Sequence, residues 1–289
     1  MTRILVTGAT GTIGSQIVEP LIQAEATVRA AVRSRSRASA LEAQGAEIVE
    51  YDIEQGQGVE EAFAGVDRAF LLTPFVPDFS ALTIRALEAA RKAGVSHVVK
   101  LSAAGADPAS PSWLPRNHGL GDVAVAESGL SYTILRPTFF QDNIITFSAD
   151  SLRSEGVFYG ASAGQSVAYV SSRDVGAVAA QALLHPHKHA EKTYDLTGGE
   201  GVTGLALAAL LTETLGRPVS FRDISSDEYG ASLRAAGTPE PFVEALLGLE
   251  YVKAQGWAAA VSPHVSEALG RAPETYAAFI ARNRGRLLG

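Results

Sequence analysis

Short apolar runs alternate with stretches of helical periodicity along the first half of the chain. The runs Ile4–Thr7, Val28–Val32, Ile48–Tyr51, Ala69–Leu72, Val98–Leu101 and Tyr132–Leu135 read as strands, and continuous apolar runs of this length suit a sheet buried on both faces. Between them, Ile13–Ala24, Ala38–Gln44, Val59–Phe63, Ser80–Lys92 and Gly121–Glu127 read as helices. In the first of these Ile17, Val18, Leu21 and Ile22 share one face. Pro20 interrupts it and predicts a kink, because proline has no backbone donor. Strands alternating with helices predict an α/β fold, a doubly wound parallel sheet of the Rossmann type, since right-handed crossovers leave few other topologies.

The rhythm changes after Pro137. A strand is expected at Val167–Val170, a helix at Asp174–Leu184, a strand at Tyr194–Leu196 and a helix at Leu205–Leu215. From Asp227 onward short helices are expected, broken by Pro239, Pro241, Pro263 and Pro273. The predicted organisation is a dinucleotide-binding domain over 1–138 and a smaller C-terminal α+β lobe over 139–289 that binds substrate, with interleaving of the two left open.

Composition narrows the function classes. Hydrophobic residues at 46% and charged residues at 19% describe a folded enzyme rather than a disordered chain. A net charge of -7 argues against a nucleic-acid partner. The absence of cysteine excludes disulfides, thiolate catalysis and cysteine-bound metal. The first strand starts at once, without a charged leader and apolar core, and no apolar stretch approaches the roughly 20 residues that span a bilayer. The cytoplasm is the expected location, without a membrane partner. His185, His187 and His189 read as an exposed loop, and no metal site is expected.

Gly8-Ala9-Thr10-Gly11-Thr12-Ile13-Gly14 stands between the first strand and the first helix. A pyrophosphate must approach the unpaired amides of a helix start, and a β-carbon at the crossing points would block it, so glycines at 8, 11 and 14 point to dinucleotide binding. At the end of the second strand, where an acid ordinarily meets a free ribose 2′-hydroxyl, the chain has Arg33-Ser34-Arg35-Ser36-Arg37. With no carboxylate in that segment to repel a 2′-phosphate, and a guanidinium able to grip one bidentately, NADPH is the expected cofactor. Arg33 is the first choice for the contact, assisted by Ser34 and by Arg35 or Arg37. Asp52, past the third strand, is a candidate for the adenine edge or for a helix N-cap.

These motifs, with Val28-Arg29-Ala30-Ala31-Val32-Arg33 and Ser128-Gly129-Leu130-Ser131-Tyr132-Thr133-Ile134-Leu135-Arg136-Pro137, resemble the NmrA-like branch of the atypical short-chain dehydrogenases/reductases. That group includes NAD(P)H:quinone oxidoreductases, triphenylmethane and azo dye reductases, and regulators that sense NADP(H) without catalysis. The resemblance implies that Thr73 and Pro74 border the nicotinamide ribose, that Ser102 and Ala103 line the nicotinamide pocket, and that Pro137-Thr138-Phe139-Phe140 closes it. Related reductases carry His-x-x-x-Glu before Ser-Gly-Leu; here His118 and Asp122 occupy those places, with an acid one methylene shorter.

None of the tyrosines has a lysine four residues on, so the acid pair of typical short-chain dehydrogenases is missing. That disfavours isolated ketones and nucleotide-sugar chemistry. It suits a quinone or a cationic dye, which spreads or cancels the charge that hydride brings. The proton can come from water or from His118, which Asp122 one turn away would orient, and Phe75, Trp113, Phe139 and Phe140 are candidate walls for a flat aromatic acceptor, as is Phe79. The expected function is a flavin-independent NADPH-dependent reductase of a quinone or similar conjugated aromatic acceptor, with that small aromatic substrate and a second copy in a homodimer as candidate partners. The second reading is an NADP(H) sensor.

Overall fold

Strand β1 (Arg3–Thr7) is buried along nearly its whole length and has strands on both sides, as a central parallel strand must. The computed structural model describes all residues, 1–289. After β1 the chain runs α1 (Ser15–Gln23), β2 (Thr27–Val32), α2 (Ser39–Ala43), β3 (Glu47–Glu50), α3 (Val59–Phe63), β4 (Arg68–Leu71), α4 (Phe79–Lys92), β5 (His97–Leu101), α5 (Trp113–Glu127) and β6 (Ser131–Pro137). It continues through α6 (Asn143–Glu155), β7 (Val157–Gly160), α7 (Ser172–Leu184), α8 (Pro186–His189) and β8 (Lys192–Leu196). The last stretch holds α9 (Gly204–Leu215), β9 (Ser220–Asp223), α10 (Ser226–Ala235), α11 (Glu240–Ala254), α12 (His264–Leu269), α13 (Tyr276–Arg282) and α14 (Arg284–Leu288).

Two units emerge, Met1–Pro137 with Ser172–Leu196, and Thr138–Ser171 with Thr197–Gly289. The first is a seven-stranded sheet in the order β3-β2-β1-β4-β5-β6-β8, parallel throughout. The order reverses between β1 and β4, which opens a crevice beyond their carboxyl ends, the place where such sheets bind nucleotides. On one face Phe63, Ala69, Val98 and Ile134 pack with Leu87 and Val125 of α4 and α5. α1 runs through Pro20 and buries Ile17, Val18 and Leu21. The segment expected to be a strand at Tyr194–Leu196 is β8, and it joins this sheet beside β6 rather than lying in the C-terminal lobe.

The second unit has its own core, in which Leu152, Leu211, Phe279, Ile280 and Leu287 are fully buried. Its two strands, β7 and β9, pair parallel. No strand forms at Val167–Val170; Val167 and Val170 make single bridges to Val202 and Phe140 instead. Pro239 and Pro241 lie at the break between α10 and α11, as expected, and start α11, where a missing N–H leaves no bond unmade.

Candidate dinucleotide and acceptor site

The glycine turn is shaped by contacts that exclude side chains. Gly8 has φ +64, its carbonyl accepts the N–H of Gly11 at 2.9 Å, and a Cβ at Gly14 would lie 2.2 Å from the Gly8 oxygen. Only glycine lets the start of α1 fold back onto the end of β1. Thr7 fixes that end: its Oγ1 accepts the N–H of Leu72 at 2.7 Å and faces the carbonyls of Phe70 and Leu72, both at 3.1 Å. Thr10, Gly11 and Thr12 are exposed at the turn, Ile13 is buried beneath it, and the first turn of α1 has neither a side-chain cap nor an acid. The N–H groups of Ser15, Gln16 and Ile17 donate to the carbonyls of Gly11, Ile13 and Gly14, so it is the exposed turn Thr10–Thr12 at the positive end of the α1 dipole that fits a pyrophosphate.

Arg33 and Ser34 follow β2 as expected, and Arg35 and Arg37 begin and end a short exposed 3-10 turn. Their surroundings are less basic than the segment alone indicates. Arg33 Nη2 lies 2.6 Å from Glu54 Oε1, the Arg35 N–H donates to Glu50 Oε1 at 3.3 Å, and the Arg35 guanidinium meets Glu42 at 3.4 Å. Ser34 Oγ shares a hydrogen bond with Ser36 Oγ at 2.9 Å. Asp52 is not a helix cap, since Gly58 holds that place for α3. Its Oδ1 accepts the N–H groups of Glu54 and Gln55 at 2.9 and 3.1 Å, so it builds the turn that carries Glu54.

Beyond β5, the Ser102 N–H donates to Leu135 at 2.7 Å and the Ala104 N–H to Pro137 at 2.9 Å, which extends the parallel pairing and holds Ser102, Ala103 and Pro137 side by side. Ser102 is 3% exposed and its Oγ has no hydrogen-bond partner. Thr73 and Pro74 follow β4, half-buried. Buried polar atoms are rarely left unpaired, so an orphaned hydroxyl at the carboxyl end of the sheet, the same end as the glycine turn, fits the nicotinamide dinucleotide that the residues predict.

His118 and Asp122 lie one turn apart on α5, but they do not form the expected pair. Asp122 Oδ1 takes Lys100 Nζ at 2.8 Å and its Oδ2 takes Arg136 at 2.9 Å, so the acid is consumed by two cations from β5 and β6. His118 Nδ1 is buried without a partner, and the ring stands edge-on to Phe79 with centroids 4.7 Å apart. Burial first, then the Lys100 charge, depress its pKa to about 3. The ring is thereby held toward its neutral form, which weighs against His118 as an imidazolium donor. Lys100, absent from the sequence-based candidates, is buried in a strand and held below its ordinary pKa by desolvation. A Cβ on Gly121 would come 2.8 Å from its Cε, so that glycine makes its room. A lysine inside an otherwise apolar run was the available signal.

Phe75, Trp113 and Phe79 gather beside His118: Phe75–Trp113 centroids are 5.4 Å apart and Phe79–Trp113 6.4 Å. Phe79 is core, 2% exposed, whereas Phe75 is 47% exposed. Phe139 and Phe140 belong to the second unit, Phe139 edge-on to Tyr169 with Lys253 Nζ 5.2 Å from its centroid, and Phe140 bridged to Val170.

The model of a family described as NAD(P)H-binding matches residues 8–186. An NAD(P)H azoreductase of Xenophilus azovorans is 34% identical over 96% of both chains. The chain belongs to this NAD(P)H-binding family. Among solved structures, the NADPH-dependent quinone oxidoreductase of Escherichia coli complexed with NADPH is 28% identical, covers 99% of this chain and 100% of its own, and superposes with a TM-score of 0.85. NmrA, a negative transcriptional regulator in complex with NADP, shares the fold at 18% identity, a TM-score of 0.79 and coverage of 97% and 94%. The NAD(P)H-binding family expected from the glycine turn and the β2 end is therefore the one found, and the chain is an NAD(P)H-dependent oxidoreductase. No helix is long and apolar enough to cross a membrane.

Proposed function

We propose that the chain passes hydride from NADPH directly to a quinone or a similarly conjugated aromatic acceptor, without flavin. The observation that carries this reading is the pairing of an aromatic group, Phe75, Trp113 and Phe79, with a histidine kept neutral at its edge. A ketone acceptor needs a positioned acid as the alkoxide forms. Here Asp122 is neutralised by Lys100 and Arg136, and His118 carries no proton to give as an imidazolium. A conjugated acceptor distributes or cancels the incoming charge itself, so alignment supplies much of the rate.

In this reading the turn of Gly8, Thr10, Gly11, Thr12, Ile13 and Gly14 holds the pyrophosphate, Arg33 and Ser34, with Arg35, hold the 2′-phosphate, and Asp52 shapes the adenine edge. Thr73, Pro74, Ser102, Ala103 and Pro137 border the nicotinamide half. The bound dinucleotide supplies the hydride. Phe75 and Trp113 flank the acceptor ring. His118 stays a neutral ring against Phe79, and water delivers the proton. The azoreductase and quinone oxidoreductase names of the relatives support the same acceptor class.

The test is to mix purified protein, freed of flavin, with NADPH and a panel of quinones and azo dyes under anaerobic conditions. Loss of the reduced-nicotinamide absorbance with at least one acceptor is expected. Tight NADPH binding with no turnover on any of them would sink the reading.

A further inference from the structure

Glu54 does not meet Arg33 through a loose loop. Asp52 Oδ1 holds the N–H groups of Glu54 and Gln55, Asp52 and Gln57 exchange both backbone hydrogen bonds at 2.9 Å, and Arg85 Nη1 donates to the carbonyls of Ile53 at 2.6 Å and Glu54 at 3.3 Å. Three side-chain and backbone ties therefore present one carboxylate to the guanidinium proposed to bind phosphate, at 2.6 Å. The Glu54 side chain is 32% exposed and that of Arg33 63%, so both remain reachable by a ligand. A 2′-phosphate arriving there must displace a carboxylate from Arg33 and then sit beside that same negative charge. A cofactor with a free 2′-hydroxyl meets the opposite situation, because a carboxylate is the acceptor that such a hydroxyl needs.

We infer that Glu54 sets the choice between cofactors: it weakens NADPH binding by competing for Arg33, and it accepts the ribose hydroxyl of NADH, so that the chain uses both. This rests on the reading of Arg33 as the residue that holds the 2′-phosphate. Arg33 and Glu54 form a pair with two arrangements, closed on each other or on the hydroxyl when the phosphate is missing, parted when it is present.

Calorimetric titration of the full chain with NADPH, NADH and 2′,5′-ADP separates the possibilities, the last probe isolating the phosphate end from the nicotinamide pocket. Glu54→Gln is expected to bind NADPH and 2′,5′-ADP roughly three- to tenfold tighter, the range set by losing an exposed ion pair and a like-charge repulsion. Glu54→Ala is expected to weaken NADH about threefold or more, as the hydroxyl loses a charged acceptor. An NADPH-to-NADH affinity ratio that is unchanged or lowered in Glu54→Gln overturns the inference. Arg33→Gln tells the two levels apart. If it weakens both cofactors equally, the phosphate-binding reading itself fails; if it weakens NADPH alone while both Glu54 variants are silent, only the role of Glu54 falls. Melting temperatures of all variants are expected to match the parent, since the Arg33–Glu54 pair lies at the surface and the side chains are not core.

Discussion

At the scale of single residues, Gly14 and His118 make the sharpest commitments. An alanine at Gly14 would place its β-carbon 2.2 Å from the Gly8 carbonyl oxygen, so the turn must open. Gly14→Ala is expected to cost about 1–3 kcal/mol of stability, as backbone strain typically does, and to lower NADPH affinity tenfold or more, read by thermal unfolding and titration calorimetry. An alanine variant that binds like the parent would show that the turn does not cradle phosphate. For His118, a pKa near 3 means the ring holds one proton across the whole working range. Its imidazole signals in a nuclear magnetic resonance titration are expected to stay in the neutral position down to about pH 5, where an ordinary histidine is fully charged. The identities of the glycines and of Arg33 were legible in sequence because their spacing follows from phosphate geometry. The company Arg33 keeps was not, since Glu54 reaches it only through the fold of a separate turn.

At the scale of elements, α5 shows why periodicity alone falls short. Its expected span was Gly121–Glu127, yet it starts at Trp113. Pro115, Gly119 and Gly121 weaken the helical pattern, and two of those glycines are there for tertiary reasons: a Cβ on Gly119 would lie 2.2 Å from the Pro108 nitrogen, and one on Gly121 would strike Lys100. The same packing aims Asp122 at Lys100 and Arg136 instead of at His118, a choice that no i, i+4 rule could anticipate. Removing one member of a buried ion cluster strands the others in low dielectric. Asp122→Ala is therefore expected to lose about 3–5 kcal/mol in denaturant unfolding, whereas Lys100→Met combined with Asp122→Leu should recover much of it, because both fully buried charges are then gone and only Arg136, 30% exposed, is left without its partner. Equal losses in the two proteins would mean that helix packing, not charge pairing, holds α5 to the sheet.

At the scale of the molecule, the alternation of strands and helices was enough to specify the doubly wound sheet, while the excursion of residues 138–171 concealed where β8 belongs. A strand of five residues carries no label for its sheet. Beneath that edge, His97 accepts from Ser131 Oγ at Nδ1 (2.9 Å) and donates from Nε2 to Thr133 Oγ1 (3.1 Å), because the Thr133 proton is already given to the His189 carbonyl at 2.8 Å. Desolvation depresses its pKa from 6.5 to about 4. The unfolded chain then binds the proton more readily than the folded one, so this contribution is complete above pH 6.5 and shrinks steadily until about pH 4. The loss approaches roughly 3 kcal/mol, at about 1.4 kcal/mol for each pH interval of one, and His97→Gln is expected to flatten that part of the acid-unfolding profile. The late return of β8 also governs what can be cut away. A fragment ending at Pro137 would expose five residues of β6, Thr133 to Pro137, as an unsatisfied edge, and would strip from α1 the helix α7 against which Gly176 packs on Gln16. Such a fragment should recruit its own neighbours into fibrous or amorphous aggregates, so the nucleotide-binding half, although encoded first, is not an autonomous product of the first half of translation: it waits for the ribosome to deliver Leu196.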